Sequence, residues 1–132
     1  MDLLEVQAMK KIELEILEEL RLALGEKCFN EYLKIKDFYK DKQFKVKAWL
    51  DKDAIEFDKY ESVEIAVSLE DALLSAIDCI KNDNYTCSEI ALLGDDELDF
   101  IFEAMIENGA FKCNFTSIVW RNCDSFLTSN DL

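Results

Sequence analysis

Four carboxylates and one aromatic ring form the pattern in this chain that comes nearest to a functional constellation. Asp96, Asp99, Glu103 and Glu107 recur at three- and four-residue steps, with Phe100 beside them. That spacing lines side chains along one face of a helix. At 3.6 residues per turn the four acids fall on one side, with Leu98, Ile101, Phe102 and Met105 on the opposite side. Like charges so placed repel by roughly 0.2–0.5 kcal/mol per pair, and no Lys or Arg between positions 82 and 111 offsets them. Such a row suits recognition: the carboxylates steer a basic partner and the ring anchors it. The spacing predicts a partner-binding surface of Asp96, Asp99, Phe100, Glu103 and Glu107, against the plainer alternative of a solvated acidic face.

Other chemistry fits the residues less well. The chain has no His, which removes the usual acid or base at neutral pH and the commonest metal ligand, and with them the His-dependent serine, cysteine and zinc hydrolases. Asp95-Asp96-Glu97 followed by Asp99 is dense in acid but lacks the alternate Asp, central Gly and closing Glu of a calcium loop. Paired carboxylates for glycoside hydrolysis exist in any chain this acidic, and nothing marks a cleft for them. Five cysteines (28, 79, 87, 113 and 123) are odd in number and form no C-x-x-C pair. They read as reduced, mostly buried thiols of a cytoplasmic protein. No cofactor, metal or catalytic residue is expected.

The 132 residues carry 15 basic and 29 acidic groups, a formal net charge of −14, with 50% hydrophobic positions and no Pro. Residues 61–132 hold −12 of that charge, while residues 31–60 hold +1. This balance argues against nucleic acid or an anionic membrane as a direct ligand, since both need basic footprints. Arg21 and Arg121 are the only arginines, so bidentate phosphate contacts are poorly supplied. No run approaches 18 apolar residues, and Met1-Asp2-Leu3-Leu4-Glu5 lacks the basic and apolar regions of a signal peptide. Met9 could open the same helix as Met1, so two starts stay open.

Positioning the acids requires elements. Met9, Ile12, Ile16, Leu20 and Ala23 recur at helical steps, which predicts a helix over 2–24 closed by Gly25. Alternation predicts a β-hairpin from 33–39 and 44–50 around Lys40-Asp41-Lys42-Gln43, with Lys34, Lys36, Lys45 and Lys47 on its outer face. Those lysines read as edge-strand protection or as a self-association surface. Short strands are expected at 54–57 and 63–67. Ser68 then caps a second helix with Leu69, Ala72, Leu73, Ala76, Ile77 and Ile80 as its buried stripe. A strand at 85–93, a third helix from Gly94 to Asn108-Gly109 and a last strand from Phe111 to Trp120 complete the pattern. Residues 121–132 read as a polar, frayed tail.

The expected fold is α+β: a mixed, largely antiparallel sheet of about five strands packed with three helices in two layers, the last three strands partly parallel. The domain reading is one unit over 1–132: an N-terminal helix to residue 25, then the sheet and two further helices over 31–120. A small, acidic, non-catalytic single domain with a concentrated carboxylate surface resembles bacterial immunity proteins. That resemblance implies a basic protein partner, above all a toxin nuclease domain, whose substrate-binding face is covered. A nucleic-acid mimic acting on restriction or CRISPR nucleases and an acidic secretion chaperone are the alternatives, with an enzyme behind them. Monomer and homodimer stay open.

Overall fold

The computed structural model describes residues 2–50, 62–94 and 99–130. Helix α1 spans Leu3–Leu24, where the periodicity places it. The Asp2 side chain accepts from the Glu5 amide at 2.9 Å, and Gly25 ends the helix at φ +83°. Only the C-terminal part of its stripe reaches the core: Leu20 and Leu24 are buried, Ile16 and Leu17 partly so.

A second helix, α2 (Glu26–Ile35), follows at once, where the alternation of 33–39 predicts a strand. Cys28, Tyr32, Ile35 and Tyr39 are the buried positions. Their steps of four, three and four residues are helical, and Leu33, assigned inward by the alternation, lies 40% exposed. The lysine-faced hairpin is therefore replaced by a helix, a turn and one strand, β1 (Phe44–Trp49).

The remaining elements are β2 (Ser62–Ala66), α3 (Leu69–Lys81), β3 (Cys87–Leu92), β4 (Phe100–Glu107), β5 (Ala110–Phe115) and α4 (Ser117–Asn130). The strands form one five-stranded sheet in the order β2-β1-β3-β4-β5, and every neighbouring pair is antiparallel. The fold is α+β, with four helices among the described residues rather than three and no parallel neighbours in the sheet. The strand expected at 54–57 falls outside the described residues. Helix α4 occupies the end of the expected last strand and much of the expected tail, and it seats Val119 and Cys123 in the core.

Alternation along each strand sorts side chains to two faces. Phe44, Val46, Ala66, Ile90, Phe102, Ala104 and Phe115 turn toward the helices and make the core with Leu69, Leu73, Ala76 and Ile77 of α3. Buried Ser88 is satisfied there by donating to the Ala76 carbonyl at 2.8 Å. All six residues of the predicted α3 stripe are buried. Ser68 caps α3 as the sequence predicts, its Oγ accepting from the Asp71 amide at 3.1 Å. Ser68→Ala is expected to cost about 1 kcal/mol, read as a lower urea midpoint at unchanged slope.

The largest departure from the sequence reading is the region of the expected third helix. Residues 100–107 form strand β4, and Asn108-Gly109 turn it into β5. Asn108 (φ +52°) and Gly109 (φ +80°) are both left-handed, and Glu107 pairs with Ala110 across them. This is the two-residue hairpin turn that Asn-Gly favours, because its twist matches the strands. Gly109→Ala is expected to destabilise by roughly 1–2 kcal/mol, the penalty of a Cβ in that conformation; equilibrium denaturation reads it. Nothing lies within 4 Å of a Cβ built there, so the cost is conformational rather than steric.

Candidate functional site

The acidic constellation does not sit on a helix. Asp99 lies in a bend just before β4, and Phe100, Glu103 and Glu107 lie on β4 itself; Asp96 is outside the described residues. The register shifts between Ile90 and Ala91, so that Ile90 faces Phe102 while Ala91 faces Phe100. Ile101 is thus the extra residue of a bulge, and Phe100 shares the face turned away from the described helices with Glu103 and Glu107. Three of the five expected residues come to one surface by a different geometry. Along a strand Glu103 and Glu107 stand about 13 Å apart instead of one helical turn.

The change of geometry also changes the charge around them. Register places Lys45 and Lys47 of β1 and Lys112 of β5 on that same face. Glu103 sits opposite Glu89, which sits opposite Lys47. Lys112 Nζ approaches Glu107 Oε2 to 3.9 Å, both side chains well exposed, a pair of small energetic weight. The stretch free of Lys and Arg from 82 to 111 is therefore not an unshielded surface, because sheet neighbours distant in sequence bring the cations. Lys47, at 6% exposure, and Trp49 are buried on this face. Val63 and Ile65 at the β2 edge stay exposed. The expected lysine row survives only as Lys45 and Lys47, on an interior strand where edge protection has no purpose.

A denser acidic surface lies where α1 runs beside α3. Two depressions follow that seam. One, of about 590 Å³, is bordered by Glu13, Ile16, Leu17, Tyr32, Glu70 and Asp71, with Lys36 and Lys40 at its rim. The other, of about 480 Å³, is bordered by Glu19, Ala23, Glu64, Leu74, Ile77 and Asp78, with Lys81 at one end. With Asp37 and Asp41 of the first, eight carboxylates line the two depressions alongside Ile16, Leu17, Leu74 and Ile77. Two of the carboxylates are held by hydrogen bonds. Tyr32 Oη donates to Glu70 Oε1 at 2.9 Å, and Ser75 Oγ donates to Glu64 Oε2 at 2.7 Å. Burial, and then the hydrogen bond to Glu70, push the Tyr32 phenol far above its ordinary range, so it remains a donor at any physiological pH. Lys81 Nζ lies 4.6 Å from the centre of the Phe111 ring, an arrangement that attracts the ammonium toward the ring.

Chemically, this seam offers charge and shape. No group of three or more His, Cys, Asp or Glu among the described residues is arranged to hold a metal ion. No described helix is long and apolar enough to cross a membrane. The seam residues went unnoticed in the sequence because they belong to elements some fifty residues apart. The only local signal was acid in the first turn of α3, which also complements the helix dipole.

The chain is thus an antiparallel-sheet α+β protein with its described helices layered on one face and two acid-lined depressions beside α1 and α3. Compared with protein-family models, curated proteins and solved structures, it gave no match in any of the three.

Proposed function

We propose that this chain is a non-catalytic binding domain of the immunity-protein kind, acting in the cytoplasm, which neutralises a basic protein partner by covering its anion-binding face. A nuclease toxin domain is the partner whose chemistry fits best. Such an enzyme must be basic around its active site to hold phosphates, so an acidic inhibitor gains both encounter rate and selectivity against it. The observation that carries this reading is the α1–α3 seam, where Glu13, Glu19, Glu64, Glu70, Asp71 and Asp78 border Leu17, Leu74 and Ile77. Carboxylates interleaved with apolar side chains suit a Lys- or Arg-bearing segment whose aliphatic stems bury while the charged heads meet the acids.

The test is binding to a panel of purified nuclease toxin domains with pI above about 9, with hen lysozyme as a basic protein that is no nuclease. The reading expects one domain to bind, to lose nuclease activity at one equivalent, and to associate more slowly as salt rises. Weak binding that tracks only the partners' net charge, lysozyme included, would contradict it.

A second reading, an acidic chaperone acting as a homodimer, is favoured by one observation. The N-terminal part of α1 exposes Leu3, Leu4, Met9, Ile12 and Leu14, while among the described residues its core contacts come from Ile16 to Leu24. Sedimentation of the purified chain separates the two readings: a stable dimer supports the chaperone and a monomer removes it.

A further inference from the structure

We propose that Cys28 and Cys113 are an oxidation site: a dithiol that closes to an intramolecular disulfide between α2 and β5 when it meets a hydroperoxide. The geometry is direct. The two sulfurs lie 3.7 Å apart, in contact across 85 residues of chain. Cys28 sits in the first turn of α2, where the helix dipole favours a thiolate. Cys113 shares the helix-facing side of β5 with Phe111 and Phe115, which places it under that turn. A disulfide needs its sulfurs about 2.05 Å apart, so they must close by roughly 1.7 Å. No disulfide links any of the five cysteines, so the pair is in its reduced form.

Local chemistry gives the two thiols different roles. The hydrogen bond from Cys113, with a smaller contribution from Lys27, lowers the Cys28 thiol below its ordinary value against the opposing effects of burial and Glu31. The same hydrogen bond, and then burial, push Cys113 well up. Cys79 and Cys123 are raised, in each case chiefly by burial. Cys28 is therefore the nucleophile and Cys113 the resolving thiol. Cys28 is buried, which suits a small neutral oxidant over a bulky one.

The steps balance. The Cys28 thiolate attacks one oxygen of the hydroperoxide; the S–O bond forms, the O–O bond breaks, and the alcohol leaves with the proton that Cys28 lost. The Cys113 sulfur then attacks the resulting sulfenic sulfur. The S–S bond forms, the S–O bond breaks, and water leaves carrying the Cys113 proton. Two thiols are oxidised by two electrons, and one peroxide is reduced to an alcohol and water. A dithiol reductant reverses the change.

The full chain treated with a modest excess of hydrogen peroxide, then unfolded and titrated for thiols, tests this. The proposal expects the thiol count to fall from five to three, peptide mapping to join Cys28 to Cys113, and dithiothreitol to restore all five. In Cys113→Ser the disulfide should be absent and a sulfenic acid at Cys28 should be trapped by dimedone. Should that variant fail to fold, the wild-type map decides alone. Five remaining thiols, a link between any other pair, or over-oxidation of Cys28 without a link would overturn the proposal.

Discussion

Phe102→Ala is expected to remove about 3–5 kcal/mol of stability, a large share of the roughly 5–15 kcal/mol that holds a domain of this size folded. Phe102 is fully buried. It stands between Ile90 and Phe115 in the register of β4, and its ring centre lies 5.1 Å from that of Phe115. Truncation leaves a cavity at the centre of the sheet's helix-facing side, where strands on both sides limit collapse. The readout is the denaturant midpoint at unchanged slope. A companion substitution reports on the element itself. On the expected third helix, Ala104 would have lain away from the stripe of Leu98, Ile101, Phe102 and Met105. On β4 it is fully buried between Ser88 and Cys113. Ala104→Leu should therefore destabilise by about 1–3 kcal/mol through overpacking. A neutral or stabilising result would favour the helix.

The contrast between α3 and β4 explains how much of the fold could be read from the sequence. For α3 every local signal agreed: a capping serine, six apolar positions at helical steps and a polar end at Asn82. For residues 100–107 two periods overlap. Asp99, Glu103 and Glu107 step as a helix does, while Phe102, Ala104 and Ile106 alternate as a strand does. Asn108-Gly109 ends a helix as readily as it turns a hairpin. Sheet pairing decided the matter, because β4 completes a register with β3 and β5 that no local window contains. The same conflict misled the reading of 33–39, where Ile35 and Tyr39 fit either period and the deciding residues, Cys28 and Tyr32, lie earlier. Helix α4 opens on the apolar run Ile118-Val119-Trp120, which reads as the end of a strand, and continues through Arg121, Asn122 and Asp124, whose polarity reads as a tail.

The candidate site was less legible than the fold, for a related reason. Charge read along one strand omits what lies across it. Lys45, Lys47 and Lys112 come to the same sheet face as the β4 carboxylates only through pairing, and the α1–α3 seam exists only because two helices distant in sequence pack side by side. Net charge survives folding, but its distribution does not follow from local spacing.

Reversing Glu19, Glu64 and Asp78 to Lys together is expected to weaken binding of the basic partner on the order of 100-fold, with association slower and dissociation faster. The control carries the same change of charge elsewhere: Asp99, Glu103 and Glu107 each changed to Lys. Long-range steering responds to both sets, so both should slow association, the control by less than about tenfold. Dissociation depends on contacts within the interface, so only the seam variant should shorten the lifetime of the complex. Surface plasmon resonance at two salt concentrations measures both rates.

The most direct measurement is an amide chemical-shift map of the labelled chain during titration with the nuclease domain that it inhibits. Perturbations should concentrate on α1 between residues 13 and 23 and on α3 between residues 70 and 78, with β4 and β5 little changed. Perturbations centred on Phe100, Glu103 and Glu107, with the seam silent, would contradict the assignment of the seam as the binding surface.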